Sequence, residues 1–557
     1  MLAPRPVHLV TVLHGLWGSP THIAYVVDSV TRHASRPSAL RSRARESSPS
    51  RAAETDVEVV VLAPRTNAES FAHTYDGIDV CADRVVDEID AEVRRIEDDG
   101  GRVERFSIVG YSLGGLVARY VLGLLNSRTP SFFSTVRPVN FTTFASPALG
   151  IPQYKSFWSR TFRFLGSRLL SRTGNQLYER DRFLPARFNS GKDDGVKDRK
   201  GLSRYLPVVK GREEAEPLLK VLADPRYSFY KALARFEKID VFANAVNDRT
   251  VPFPTGGIEA HDPFGLARAK AKKLADARGD DPDVQPDIRE GGLEITLEPD
   301  APIISSYRTL PSPPSSTTTA TSSSKRRFRF RLPFLLRPTS YPFSRPVSLA
   351  IIAFLPLALP LSVLYLISRF ALQGRESRRR IRNARERLGE GREGMLRRVG
   401  VGVAEVVEQV GVDNPEYVEG LNGAEEEGRG EGPQRTFGSG GGTETPALAR
   451  PVSPPSLASS PARSPSPPAT SSPAGSDTPL VPGPPANAAH YSTDPILSSS
   501  QLFQLNNLNS LPGLKKHLVY LPHARNAHGA IVRRDPNLAM HREGKKVVDW
   551  WARQFLV

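Results

Sequence analysis

Phe106-Ser-Ile-Val-Gly110-Tyr-Ser112-Leu-Gly114-Gly-Leu-Val-Ala-Arg-Tyr120 decides how the rest of the chain is read. Its first four residues are an apolar run fit for a buried strand, and Leu116 to Leu125 continue as a helix. Between them, Gly110-Tyr-Ser112-Leu-Gly114 has the G-x-S-x-G spacing of a nucleophile elbow. The turn is so tight that a side chain at either glycine would collide with the strand or the helix. It lifts the Ser112 hydroxyl above the sheet and puts the Leu113 N–H where an oxyanion would form. The same five residues can also be a plain structural turn. The strand before and the helix after supply the context the motif requires.

Working outward, strands and helices alternate. Pro6 to Leu13 is a buried strand that ends in His14-Gly-Leu-Trp-Gly-Ser19, and a helix follows from Pro20 to Arg32. Val57 to Ala63 is the next strand, and Ile78 to Glu97 is amphipathic, with Val80, Val85, Ile89 and Val93 near helical spacing. Beyond the elbow come a strand at Val139–Phe144, a short helix at Tyr227–Phe236 and a strand at Ile239–Ala243, which leads into Val246-Asn-Asp248-Arg-Thr-Val-Pro252. Phe157 to Leu170 reads equally as a lid over a substrate mouth or as an ordinary packed helix. This order implies an α/β fold with a mostly parallel, doubly wound sheet.

The alternation stops near residue 260 and resumes with a last strand at His517–Leu521 and a terminal helix at Gly544–Phe555. Residues 1–260 and 506–557 are therefore two parts of one core. The long insertion between them divides into 261–345, with a Ser/Pro/basic tract; 346–370, apolar; 371–431, basic then acidic, with a helix from Glu376 to Val410; and 432–505, rich in Ser, Pro and Gly. The tracts 311–324 and 432–500 are expected to be disordered, and 34–54 to be a flexible surface insertion.

Composition narrows the function classes. Many of the 49 prolines lie in tracts that cannot pack a core, and the single cysteine, Cys81, excludes an intramolecular disulfide framework and reads as a small buried hydrophobe. The first residues hold no apolar stretch of signal-peptide length, so a cytosolic catalytic part is expected. The formal net charge of +16 is concentrated as arginine around residues 325–392, beside an apolar segment. That pattern fits a membrane surface rather than nucleic acid. No metal-ligand cluster, P-loop or dinucleotide fingerprint is present, so no metal or cofactor is expected. The oligomeric state is not legible.

Val347 to Ser368 is uncharged and long enough to span a bilayer. Basic residues flank it on both sides, so the positive-inside rule gives no orientation. Pro356 and Pro360 interrupt it, which suits a kinked, re-entrant or hairpin insertion with both flanks in the cytosol. Topology adds a second reason: the last strand must rejoin a sheet built before the segment, and an odd number of crossings would separate the two. Monotopic insertion, compatible with a lipid-droplet monolayer, follows.

A serine hydroxyl needs a base, and the base needs an acid to orient it. In the hydrolase order Ser–acid–His, the chain offers Ser112, Asp248 and His528. Asp248 follows a strand at the same rim of the sheet as the elbow; Asp240 lies inside that strand, and Asp262 is the fallback. His523 and His528 compete as base. His528 is favoured because it lies deeper in the loop and Gly529 leaves room for close approach. The loop His14-Gly15-Leu16-Trp17-Gly18 suits the second half of an oxyanion hole, with the Leu16 N–H beside that of Leu113. Gly15 lets the backbone approach substrate, His14 braces the loop, and Trp17 either lines the acyl pocket or packs as core. The reaction class is acyl transfer to water, a carboxylic ester hydrolysis.

His14-Gly-Leu-Trp-Gly18, Gly110-Tyr-Ser-Leu-Gly-Gly115, Ala243-Asn-Ala-Val-Asn-Asp-Arg-Thr-Val-Pro252 and Asn526-Ala-His528-Gly-Ala-Ile-Val together resemble the "putative serine esterase" (lipase-like) family of α/β-hydrolases, in its fungal branch. The proline-containing apolar segment followed by an arginine-rich helix is similar to that branch as well. The resemblance covers roughly residues 1–260, 345–410 and 515–557. It implies hydrolysis of glycerolipid esters, acylglycerol or phospholipid, at a cytosol-facing lipid droplet or endoplasmic reticulum membrane. One departure stands out: where lipases of this broad group often carry Ser/Thr-Pro-His after the next strand, this chain has Ser146-Pro147-Ala148. The competing class is a membrane-anchored scaffold or lipid-binding protein on an inactive hydrolase fold, against which the ordered triad types and both oxyanion loops count.

Overall fold

The computed structural model describes residues 4–35, 57–68, 72–155, 159, 166–183, 216–280, 286–310, 345–389 and 494–557. Its strands are β1 (Arg5–Leu13), β2 (Glu58–Leu62), β3 (Gly101–Tyr111), β4 (Arg137–Phe144), β5 (Lys238–Asn244), β6 (Leu293–Leu297), β7 (Ile303–Thr309) and β8 (Leu514–Val519). They form one sheet in the order β2-β1-β3-β4-β5-β8-β7-β6. The first six in that order run parallel, and the β6–β7 hairpin joins β8 antiparallel.

The helices are α1 (Ala24–Ala34), α2 (Ile78–Asp98), α3 (Leu113–Asn126), α4 (Ser171–Leu177), α5 (Leu218–Leu222), α6 (Ser228–Leu233), α7 (Phe253–Gly257), α8 (Pro263–Arg278), α9 (Arg345–Gly389), α10 (Ser499–Asn509), α11 (Ala527–Ala530) and α12 (Arg542–Arg553). Side chains alternate across a strand, and β1 uses both faces. Val7 and Leu9 pack with Ile78, Val85 and Ile89 of α2 and Leu116 and Tyr120 of α3. Val10 and Val12 pack on the other face with Val26 and Val30 of α1 and Val548 and Trp551 of α12. The strands are apolar runs rather than strict alternations because helices cover both faces. The α/β, mostly parallel architecture expected from the sequence is thus the one observed.

Two features differ from expectation. The alternation does not stop near residue 260: α8 and the β6–β7 hairpin follow, and the hairpin extends the sheet. Leu293 and Ile295 are buried while Glu294 points outward, so the hairpin covers the β8 edge with one apolar side. The apolar segment is also not a re-entrant turn. α9 is a single helix of 45 residues that contains both Pro356 and Pro360, about 68 Å long at 1.5 Å per residue. Each proline removes only one backbone donor, and four positions apart they fall on nearly the same side, so the other turns keep their bonds.

Leu349–Ile381 within α9 is long and apolar enough to cross a membrane, and its apolar window is not buried against the chain. Leu349, Phe354, Leu357, Leu361, Leu364 and Tyr365 are 56–67% exposed. Toward its C-terminal end the helix meets the core: Gly374 and Ser377 are buried, and Arg380 binds Asp76. Of the lid-or-core stretch 157–170, residues 157, 158 and 160–165 lie outside the described residues, as do the 311–324 tract, the 34–54 insertion beyond residue 35, residues 390–431 and the 432–500 tract up to residue 493.

Candidate active site

β3 ends at Tyr111 and α3 begins at Leu113, so Ser112 alone makes the turn, with φ 55° and ψ −125°. A non-glycine residue held at positive φ costs on the order of 1–3 kcal/mol and persists only where its surroundings enforce it. Here the Ser112 N–H donates to the Phe144 carbonyl at 2.9 Å, and the Gly115 N–H donates to the Ser112 carbonyl at 3.1 Å. A Cβ on Gly114 would lie 2.6 Å from the Leu13 carbonyl oxygen, and one on Gly110 would strike the Gly115 backbone. The elbow glycines therefore do what their spacing implied.

The structure brings Ser112, His528 and Asp248 together. His528 Nε2 is 3.0 Å from Ser112 Oγ, and His528 Nδ1 is 3.1 Å from Asp248 Oδ2. A carboxylate only accepts, so the network places the ring proton on Nδ1 and leaves Nε2 to accept from the serine hydroxyl. Ser112 and His528 are each 7% exposed, and the Asp248 side chain is 2% exposed. Asp248 is fixed from both sides: Oδ2 also accepts from Asn244 Nδ2 at 2.8 Å, and Oδ1 accepts the Thr250 and Val251 N–H groups at 2.9 and 2.8 Å.

Three residues that the sequence did not single out hold this arrangement. Asn247, at φ 63°, donates from Nδ2 to the Leu521 and Pro522 carbonyls at 3.1 and 3.0 Å, and its own carbonyl accepts the Ala527 N–H at 2.9 Å. It thereby ties the aspartate loop to the histidine loop. Asn526 caps α11, accepting the His528 N–H at 3.3 Å. Tyr111 donates to the His528 carbonyl at 3.0 Å, and burial pushes its hydroxyl far above the usual range, so it remains a donor.

The alternatives are engaged elsewhere. Asp240 pairs with Lys238 and His517, both at 2.9 Å. Asp262 caps α8 by accepting the Gly265 N–H at 2.8 Å, and burial pushes its carboxyl up to about 6. His523 is exposed and lines a cavity of about 500 Å³ together with Tyr520, Glu543 and Lys546. That cavity reaches the site only at Asn247, and Ser112 does not line it.

The loop after β1 closes on the elbow. A Cβ on Gly15 would lie 2.7 Å from the Ser112 Cβ. The His14 ring is 3.0 Å from the Gly15 carbonyl, which also accepts the Gly18 N–H at 3.0 Å. Burial holds the His14 imidazole below its usual range, so it braces the loop as a neutral ring. Leu16 is half-buried against the cluster that contains Leu113. Leu113 is the first residue of α3, and its N–H is one of the four without an intrahelical partner. Trp17 is not core: it is 41% exposed at φ 53° and stacks on Phe370 of α9. A cleft of about 20 Å³ runs under this loop between Leu13, His14, Thr74, Leu113 and Val117.

At Ser146-Pro147-Ala148, Ala148 is buried, its N–H donates to the Thr255 carbonyl at 3.2 Å, and its carbonyl accepts from the buried Arg119 at 3.1 Å. The position at which the resemblance led to an expected histidine holds Ala148 instead, fixed by its backbone bonds. Cys81 is buried, with its thiol pushed up to about 12 by desolvation. Among the described residues, no group of three or more His, Cys, Asp or Glu side chains is arranged to hold a metal.

Comparison with known proteins agrees with the resemblance drawn from the motifs. Residues 3–262 match the family model described as "Putative serine esterase (DUF676)". A "Putative lipase" of Schizosaccharomyces pombe is 28% identical over 207 residues, 37% of this chain and 21% of that protein. "Putative lipase ROG1" of Saccharomyces cerevisiae is 26% identical over 252 residues, 45% of this chain and 28% of that one. The chain therefore spans only about a quarter of the length of the curated relatives it matches. A solved structure titled as a putative cell surface hydrolase from Lactobacillus plantarum WCFS1 matches at 14% identity over 46% of this chain and 75% of that chain, with a TM-score of 0.19, too low to carry weight.

Proposed function

With residues 3–262 matching the serine esterase family, we propose that the chain is a membrane-associated serine lipase or esterase that hydrolyses glycerolipid ester bonds, acylglycerol or phospholipid. One observation carries the reading: a single imidazole within 3.0 Å of a strained serine hydroxyl and 3.1 Å of a buried, triply hydrogen-bonded carboxylate.

In this mechanism His528 Nε2 takes the proton as Ser112 Oγ attacks the ester carbonyl. The tetrahedral oxyanion is held by the N–H groups of Leu113 and Leu16. His528 then gives the proton to the departing alcohol, leaving an acyl-enzyme. Water, activated by the same imidazole, releases the fatty acid and restores Ser112. Asp248 keeps the Nδ1 proton in place and stabilises the imidazolium. Trp17 and Gly15 border the path of the substrate.

The exposed apolar length of α9 supports a lipid surface as the working environment. Leaving a leucine-sized side chain in water rather than buried costs roughly 1.5–3 kcal/mol, and α9 presents many. β7 before α9 and β8 after it belong to one sheet, which supports insertion into a single leaflet or monolayer of a cytosol-facing droplet or endoplasmic reticulum membrane.

The test is hydrolysis of mono-, di- and triacylglycerols and phospholipids, on bilayers and on droplets, by wild type beside Ser112→Ala, with fluorophosphonate labelling in parallel. Serine-dependent release names the lipid class. A folded wild type that neither labels nor hydrolyses any of these lipids moves the weight to the scaffold reading.

A further inference from the structure

Thr74, Tyr75 and Asp76 stand between the loop after β1 and the apolar helix and touch both. Thr74 Oγ1 accepts the Trp17 N–H at 3.3 Å, and the Tyr75 hydroxyl accepts from Trp17 Nε1 at 2.7 Å. Asp76, wholly buried, accepts from Arg380 of α9 at 2.8 Å (Nη2) and 3.2 Å (Nε), and from Arg84 of α2 at 2.5 Å. Arg380 also donates to the Ala72 carbonyl at 3.0 Å. On its other side Trp17 meets α9 directly: the Phe370 ring lies 6.1 Å away, nearly parallel at 26°. Trp17 is two residues from Gly15, whose backbone lies against Ser112. A buried carboxylate that takes a guanidinium from each of two helices, beside a left-handed tryptophan held on three sides, is a costly arrangement for a mere tether.

We propose that the Arg380–Asp76 ion pair and the Phe370–Trp17 stack form a latch through which the lipid-facing helix α9 holds the His14–Ser19 loop in its oxyanion-binding shape. Arg380 and Phe370 are then positioning residues, acting through the loop rather than touching substrate. The esterase activity depends on the helix being seated, even for an ester that needs no lipid surface. This rests on the serine esterase reading above.

The experiment uses the full chain in lipid nanodiscs, with Phe370→Ala, Arg380→Ala and Arg380→Lys. Two readouts are taken: turnover of a water-soluble short-chain nitrophenyl ester, and hydrogen exchange of the 14–19 amides. Both alanine variants are expected to lose about 10- to 100-fold in kcat at little-changed KM, with faster exchange in 14–19, and Arg380→Lys to recover much of the rate. Wild-type exchange in 14–19, or wild-type kcat, in both alanine variants overturns the latch. If Arg380→Ala does not fold, Phe370→Ala decides alone. If wild type itself neither turns over nor labels with fluorophosphonate, the esterase reading falls. The latch is then judged by exchange, where faster 14–19 exchange in the variants supports the mechanical link and unchanged exchange removes it.

Discussion

Gly15 packs against Ser112 so closely that a Cβ at position 15 would lie 2.7 Å from the Ser112 Cβ and 3.2 Å from its Oγ. The Ser112 Cβ is fixed to the elbow backbone and cannot rotate away, so the loop or the elbow has to move. Gly15→Ala is therefore expected to slow fluorophosphonate labelling of Ser112 by about 100-fold or more while the chain stays folded, since small misplacements of a reacting group cost that much. A labelling rate within a few-fold of wild type would show that the loop is not part of the machinery.

Ser112, His528 and Asp248, as the proposed triad, are expected to act as a unit. His528→Ala and Asp248→Asn should each lower turnover by about 10⁴-fold, and the double variant should be little worse than either. His523→Ala should stay near wild type, because that ring is exposed and lines a separate cavity. The assignment of the base fails if the two histidine variants exchange these outcomes.

The apolar part of α9 can be tested without touching the site. Leu357 and Leu361 are 64% and 56% exposed. A charge near the middle of a lipid layer costs roughly 2.5–3.5 kcal/mol, so Leu357→Asp or Leu361→Asp should reduce vesicle partition by about 100-fold. Co-sedimentation with liposomes measures it, and unchanged partition in both variants would place the anchor elsewhere.

Acid sensitivity has a definite sign at His8, which lies fully buried 2.7 Å from Ser107 Oγ. Burial, aided by the nearby Arg105, holds the ring down to about 3, against 6.5 for a free one. Between those values the unfolded chain carries a proton that the folded chain lacks. Stability is therefore lost as pH falls from 6.5 toward 3, by up to about 1.4 kcal/mol per unit. Asp181 and Asp262, pushed up by burial to about 7 and about 6, act oppositely and lose stability as pH rises from 3.8 toward those values. His8→Asn should flatten the acid limb, seen as a smaller drop in melting temperature between pH 7 and pH 5. An equal drop in wild type and variant would rule out His8 as the source.

What was legible in the sequence follows from range. The elbow could be read because strand, turn and helix are contiguous and Gly110 and Gly114 mark the close approaches. The choice of His528 over His523 was an argument from loop depth, and only the fold sets one ring between Asp248 and Ser112. The β6–β7 hairpin was missed although Leu293-Glu-Ile295-Thr-Leu alternates with period two. Five residues of alternation amid Asp, Gly and Pro are too few to stand out. The Asn247 tie and the Arg380–Asp76 pair join residues 274 and 304 positions apart, which no local pattern encodes. The prolines of α9 suggest a re-entrant break, yet one helix runs through both.

The distance between Asp248 and His528, 280 residues along the chain, also fixes an order of events during synthesis. β5 leaves the ribosome long before β8 and must wait with one edge unpaired, which is the hazard of any late-closing sheet. α9 emerges within that interval. An apolar helix that reaches a lipid surface first would hold the half-built sheet there until its last strand arrives. On this order His528 is the last of Ser112, Asp248 and His528 to be made, so the proposed hydrolysis cannot begin until the chain is nearly complete.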